Sequence, residues 1–282
     1  MKTVAVVTDS TAYIPSDILD EYDITMIPLS VIFGNESYLE EKEIKAEEFF
    51  DHIRNDEDLP KTSQPSIGSF VEAYEKLSQN HEEVITITLS SGISGTFQSA
   101  HSAGAMVEDV DVHVFDSEIS CMMQGFYVLE AARMAQEGER GAVILERLTA
   151  MKEKGMPAYF VVDDLSHLHR GGRLNAAQLF VGNLLQVKPV LTFENKKIVP
   201  YEKIRTKKKA LNKILSLVDE DAKHGEHIKL TVIHANNIEE AEKLKGKIEA
   251  DYSNIEVILS YFGPVIATHL GEGSLGIGWY RP

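Results

Sequence analysis

Val84-Ile85-Thr86-Ile87-Thr88-Leu89, running directly into Ser90-Ser91-Gly92-Ile93-Ser94-Gly95-Thr96, decides the fold class. The first six residues are apolar or β-branched and predict a buried strand. The seven that follow predict a polar loop feeding a helix that starts near Thr96 or Phe97. The same order occurs twice more: residues 3–8 end in Asp9-Ser10-Thr11, and Val110-Asp111-Val112-His113-Val114-Phe115 ends in Asp116-Ser117. Phe70, Val71, Tyr74 and Leu77, and then Met123, Phe126, Tyr127 and Leu129 to Ala132, are spaced for helices with one buried face. Strands alternating with helices give a largely parallel sheet. In such a sheet a ligand sits beyond the carboxyl ends of the strands, where all three polar loops fall.

The second half reads differently. Strands are predicted near 158–163, 188–193, 198–202, 228–234 and 255–260, with helices at about 174–186, 206–222 and 237–252. Val190 to Phe193 and Ile198 to Tyr201, joined by Glu194-Asn195-Lys196-Lys197, form a hairpin pattern, so this sheet is expected to be mixed or antiparallel. Gly155-Met156-Pro157 supplies a break, which places an N-terminal α/β domain at 1–155 and a second α/β domain at 156–282.

The length of 282 residues suits two domains with a cleft, and 43% apolar against 26% charged residues is an ordinary globular composition. A net charge of −16 repels a phosphate backbone, so nucleic acid is not an expected partner. Cys121 is the single cysteine, which excludes an internal disulfide and a cysteine-rich zinc site, and no metal site is expected. The apolar run at the N-terminus is too short for a signal peptide and no stretch approaches a membrane span. The expected location is the cytoplasm.

Two hydroxyl-rich segments carry the chemistry. Lys61-Thr62-Ser63-Gln64-Pro65-Ser66 precedes a helix capped by Ser63 or Ser66, and Ser90 to Thr96 precedes another. A helix start offers unpaired amides and partial positive charge, and neighbouring hydroxyls add donors, which makes a neutral anion site. Thr62, Ser63, Ser94, Gly95 and Thr96 are the candidates for direct contact, with Asp9, Ser10, Ser91, Gly92, Asp116 and Ser117 as support. Gly92 and Gly95 allow close approach of backbone to ligand.

Common alternatives fail on spacing. Gly92-Ile93-Ser94-Gly95-Thr96 lacks the last glycine of a nucleophile elbow, and no G-x-x-x-x-G-K-[ST] is present. Gly271-Glu272-Gly273-Ser274-Leu275-Gly276 spells a dinucleotide fingerprint, but only six residues follow it, so no βαβ unit forms and no cofactor is expected. Its glycines are expected to wind the terminal segment tightly over the ligand or the domain interface.

His269 sits in a glycine-rich segment and reads either as a structural histidine or as a hydrogen-bond partner for a carboxylate. Arg170 and Arg173 flank Gly171-Gly172, placed to clamp an anionic group or to pair with carboxylates. Lys203-Ile204-Arg205-Thr206-Lys207-Lys208-Lys209 is the one basic run, either a solvated helix start or a dock for an acidic protein or anionic membrane.

Taken together, Thr8-Asp9-Ser10-Thr11, Lys61 to Ser66, Ser90 to Thr96, Asp116-Ser117, His169-Arg170-Gly171-Gly172-Arg173, Lys188-Pro189-Val190-Leu191 and Gly263 through His269 to Gly278 resemble the DegV family of bacterial fatty-acid-binding proteins. The resemblance covers essentially the whole chain. It implies two α/β domains with one long-chain fatty acid in a tunnel between them, and no catalytic activity. The bound acid is then presented to an ATP-dependent fatty acid kinase, and the acyl phosphate enters phospholipid synthesis. It also implies that Thr62 and Ser94 contact the carboxylate, that His269 joins them, and that Arg173 and Arg205 meet the kinase. Ala267 and Glu272 depart from the family pattern, which leads one to expect glycine and a neutral residue. Two rivals share the pocket: a serine esterase or thioesterase using Ser94 and His269 with Asp9 or Asp116, and a small-molecule sensor.

Overall fold

The structure is a computed structural model that describes residues 3–55, 59–174 and 188–282. The helix expected at about 174–186 falls on residues 175–187, outside the described residues. In chain order the elements begin with β1 (Val4–Asp9), α1 (Ser16–Glu21), β2 (Ile24–Ile27), β3 (Ser30–Phe33), β4 (Glu36–Leu39), α2 (Ala46–Asn55), β5 (Lys61–Ser63) and α3 (Ile67–Ser78). Next come β6 (Glu83–Thr88), α4 (Thr96–Gly104), β7 (Asp111–Asp116), α5 (Met122–Gln136) and α6 (Gly141–Lys154). The remainder are β8 (Ala158–Val161), α7 (Ser166–Arg170), β9 (Val190–Glu194), β10 (Lys197–Glu202), α8 (Lys207–Ala222), β11 (Ile228–His234), α9 (Ile238–Asp251), β12 (Ile255–Tyr261), α10 (Pro264–Leu270) and β13 (Leu275–Tyr280).

The chain divides into two compact units. One contains Met1–Ile44 and Thr62–Lys154; the other contains Lys45–Lys61 and Gly155–Pro282. The first is built on a parallel sheet of order β2-β1-β6-β7, in which Val6 faces Ile24 on one side and Ile85 on the other. All six residues of β1 are buried, as a central strand covered on both faces requires. Phe70 and Tyr74 of α3 and Ala100 and Ala103 of α4 pack with Ala5, Val7 and Val84, and the Tyr74 hydroxyl hydrogen-bonds the buried Thr86 at 2.9 Å. A second sheet, β4-β3-β5, was not legible in the sequence. Its strands have only three or four residues, and β4 is largely exposed, so no period-two pattern develops.

The second unit holds a mixed sheet of order β10-β9-β8-β13-β11-β12, in which β11 and β12 run parallel and the other neighbours antiparallel. The β9–β10 hairpin turns through Asn195 (φ 49°) and Lys196 (φ 69°), the left-handed pair that a two-residue hairpin turn requires. Ala210, Leu211, Ile214 and Val218 of α8, and Ala241, Leu244 and Ile248 of α9, share one core with Leu230, Val232, Ile277 and Trp279 of the sheet.

The terminal segment corrects a sequence-based expectation. From Leu275 it is a regular strand, β13, buried throughout and hydrogen-bonded between β8 and β11. Leu275, Ile277 and Trp279 alternate with Gly276 and Gly278, and glycine hides a strand because it supplies no side chain to the pattern. At Gly276 the missing side chain has a packing reason: a Cβ there would stand 3.0 Å from the Phe262 ring.

Candidate functional site

In the first unit the three polar strand ends are tied together by side chains. Asp9 is fully buried; one carboxylate oxygen accepts from the Thr11 amide (3.0 Å) and hydroxyl (2.6 Å), and the other from the Leu89 amide (2.7 Å). It thus joins the end of β1 to the end of β6. Burial raises its pKa, against the pull of these hydrogen bonds. Asp116 does the same for β7, accepting from the Ser91 amide (3.1 Å), the Ser91 hydroxyl (2.5 Å) and the Glu118 amide (3.1 Å). Ser117 closes the following turn on Ile119, donating to its carbonyl at 3.1 Å. Ser10 donates to the buried Glu40 at 2.5 Å and accepts from the Leu29 amide at 3.0 Å. Asp9, Ser10, Ser91, Asp116 and Ser117 therefore act as struts beneath the loops.

The two hydroxyl segments meet through Gln64. Its amide lies so close to Gly95 that a Cβ there would be 2.0 Å from Oε1, and its Nε2 donates to the Ser99 hydroxyl of α4 at 2.9 Å. This contact joins the Lys61–Ser66 segment to the Ser90–Thr96 loop and the start of α4. Ser66, not Ser63, caps α3, accepting from the Ser69 amide at 3.0 Å; Thr62 and Ser63 lie instead on β5. Gly95 brings no side-chain cap to the 9-residue α4, and the Ser94 hydroxyl takes the Thr96 amide at 3.3 Å. The Ser94 and Thr96 hydroxyls lie 2.9 Å apart, Thr96 fully buried and Ser94 partly open. This cluster of neutral donors suits an oxyanion.

In the second unit His269 is on a helix, α10, flanked by Gly263 and Gly271. Burial, then the Arg173 guanidinium and then His167, push its pKa down to about 3, so the imidazole is neutral at physiological pH. Arg173 donates to the Gly171 carbonyl at 2.6 Å and is half-buried. Arg170 and Arg205 are exposed, and Arg170 donates to the Ser166 hydroxyl at 3.4 Å. Of the basic run, Thr206 caps α8, and Lys207 turns back to the Gly273 carbonyl (2.6 Å) and Glu240 (3.1 Å). Glu272 is engaged by Arg54 and by Asn236 at 2.6 Å; burial pushes its pKa up, but these partners hold it below the usual carboxylate value. Its charge is thereby compensated locally.

Residues 3–282 match the family described as "Uncharacterised protein, DegV family". Protein DegV of Bacillus subtilis is 53% identical over 277 residues, covering 98% of each chain. The crystal structure of DegV, a fatty acid binding protein from Bacillus subtilis, superposes with a TM-score of 0.95 at 52% identity over 99% of each chain. The DegV family protein from Thermus thermophilus, solved for its fatty acid binding, gives 0.92 at 30% identity over 99% of this chain and 100% of that one. The chain belongs to the DegV family. For a DegV protein the strut roles of Asp9 and Asp116 bear directly on the esterase rival. A hydrolytic triad needs a carboxylate to orient the histidine, whereas these two accept from Thr11 and Leu89, and from Ser91 and Glu118. Sequence reasoning passed over Gln64, Ser99 and Glu40 because a lone amide, hydroxyl or acid carries no periodic signal. Among the described residues no group of three or more histidines, cysteines or acids is arranged to hold a metal, and no helix is long and apolar enough to cross a membrane.

Proposed function

We propose that this DegV protein binds a long-chain fatty acid, and that Thr62, Ser63, Ser94, Gly95 and Thr96 hold its carboxylate. The observation that carries the reading is the Gln64–Gly95 contact, which brings both hydroxyl segments to one place at the carboxyl ends of the parallel strands. The solved Bacillus subtilis and Thermus thermophilus relatives, described as fatty acid binding, support the ligand class. A neutral donor set binds a carboxylate without burying a permanent counter-charge, and His269, neutral with a pKa of about 3, contributes to the same ligand in that form. The tail supplies most of the affinity, at about 0.8 kcal/mol for each buried methylene.

In this reading residues 1–155 supply the head-group loops and residues 156–282 cover the acyl tail. The chain is a carrier without catalytic activity of its own, working in the cytoplasm. It presents the carboxylate to an ATP-dependent fatty acid kinase, whose acyl-phosphate product feeds phospholipid synthesis. A carboxylate held by hydrogen bonds keeps an oxygen able to attack a phosphoryl group. Arg173 and Arg205 serve the kinase, with Arg170 in support, and the exposed basic residues before α8 meet the kinase or an anionic membrane surface. Native mass spectrometry of the purified protein tests the ligand. A retained fatty acid of defined mass is expected; a protein that neither retains nor takes up fatty acid, or that hydrolyses a nitrophenyl ester through Ser94, overturns the reading.

A further inference from the structure

Two histidines and two glycines in the second unit form a reciprocal clasp. His167 projects from α7 onto Gly271, just past the end of α10, where a Cβ would stand 3.1 Å from its ring. His269 projects from α10 onto Gly171, just past the end of α7, where a Cβ would stand 2.3 Å from Nδ1. Each imidazole thus occupies the space that glycine leaves at the end of the other's helix. Gly271 also takes φ +79°, a conformation that L side chains rarely adopt.

The polar atoms make the clasp directional. His167 hydrogen-bonds the Thr268 backbone, while its Nδ1 is buried and has no partner, so the bond is made by Nε2–H to the Thr268 carbonyl. That carbonyl belongs to the last turn of α10, where carbonyls have no intrahelical partner. His167 therefore satisfies the backbone group immediately before His269 and fixes the turn from which His269 projects.

We infer that His167 is a positioning residue for head-group recognition: through Thr268 and Gly271 it sets the orientation of the His269 imidazole toward the ligand carboxylate. The inference rests on the reading of His269 as a carboxylate partner. His167→Gln keeps an amide donor near the position of Nε2, whereas His167→Phe keeps the ring and removes the donor.

The test compares binding of palmitic acid and of its methyl ester by the full chain, with the ring resonances of His269 followed by NMR. For His167→Phe the expected result is an affinity for the acid about tenfold lower, an unchanged affinity for the ester and displaced His269 resonances, with His167→Gln close to wild type. Acid affinity and His269 resonances that stay at wild-type values in His167→Phe overturn the inference. So does an equal loss for acid and ester, which marks a merely structural role. If the wild-type protein binds no fatty acid, or His269→Gln binds it as tightly as wild type, the head-group reading itself fails; the wild-type and His269→Gln measurements detect that separately.

Discussion

His269 Nδ1 lies against Gly171 so closely that a methyl group on that residue would stand 2.3 Å from it. Gly171→Ala must therefore displace the imidazole or the turn after α7. The expected cost is about 1–3 kcal/mol of stability, as for other insertions into a filled space, together with a loss of fatty acid affinity. Urea denaturation measures the first and isothermal titration calorimetry the second. A variant as stable as wild type would show that the turn yields freely.

The pKa of His269 gives a pH dependence of known sign. Its folded value of about 3 lies below the ordinary histidine value of 6.5. The group therefore adds nothing unfavourable above pH 6.5, and stability is lost as pH falls from 6.5 toward 3, because the unfolded chain takes up the proton first. Other groups titrate in the same window, so the difference in unfolding free energy between wild type and His269→Gln isolates this one. That difference should shrink steadily between pH 7 and pH 4. A pH-independent difference would place the imidazole in contact with water.

Gly95→Ala places a methyl group 2.0 Å from the Gln64 side-chain oxygen, at the far end of a flexible side chain. The amide must swing away and give up Ser99, separating the two hydroxyl segments. Stability should fall by about 1–2 kcal/mol and fatty acid affinity by more than tenfold. In the Gly95→Ala, Gln64→Ala double variant the stability should recover while the affinity does not.

Thr62→Val and Ser94→Ala each remove one hydroxyl, and a neutral hydrogen bond contributes about 1 kcal/mol. Each should weaken fatty acid binding roughly five- to tenfold; Thr62→Val should leave the thermal midpoint nearly unchanged, since that side chain is partly open, whereas Ser94→Ala also removes the hydroxyl that takes the Thr96 amide and should lower stability by about 1 kcal/mol. Asp9→Asn should behave oppositely: its carboxylate bridges β1 and β6 in full burial, so the loss should appear in stability, at about 1–3 kcal/mol.

Cys121 is buried, and burial raises its thiol pKa to about 12. It should react with a thiol reagent only on unfolding, at a rate that follows denaturant. Rapid labelling of the native protein would reveal local opening at the start of α5.

The sequence by itself determined the α/β class, the three strands β1, β6 and β7 of a largely parallel sheet, the β9–β10 hairpin and the polar loops at the strand ends. These follow from local rules, namely β-branched runs, one-sided helices and turn residues, which neighbouring letters express. The motif set also identified the family. Only the tertiary structure decided that Asp9, Ser91 and Asp116 act as struts, that Gln64 ties the hydroxyl segments together, and that Gly276 and Gly278 lie in a central strand. It also decided that His167 and His269 exchange places over Gly271 and Gly171. Each of these depends on contact between residues far apart in the chain, and such contacts are fixed by packing complementarity, which has no period in the sequence to read.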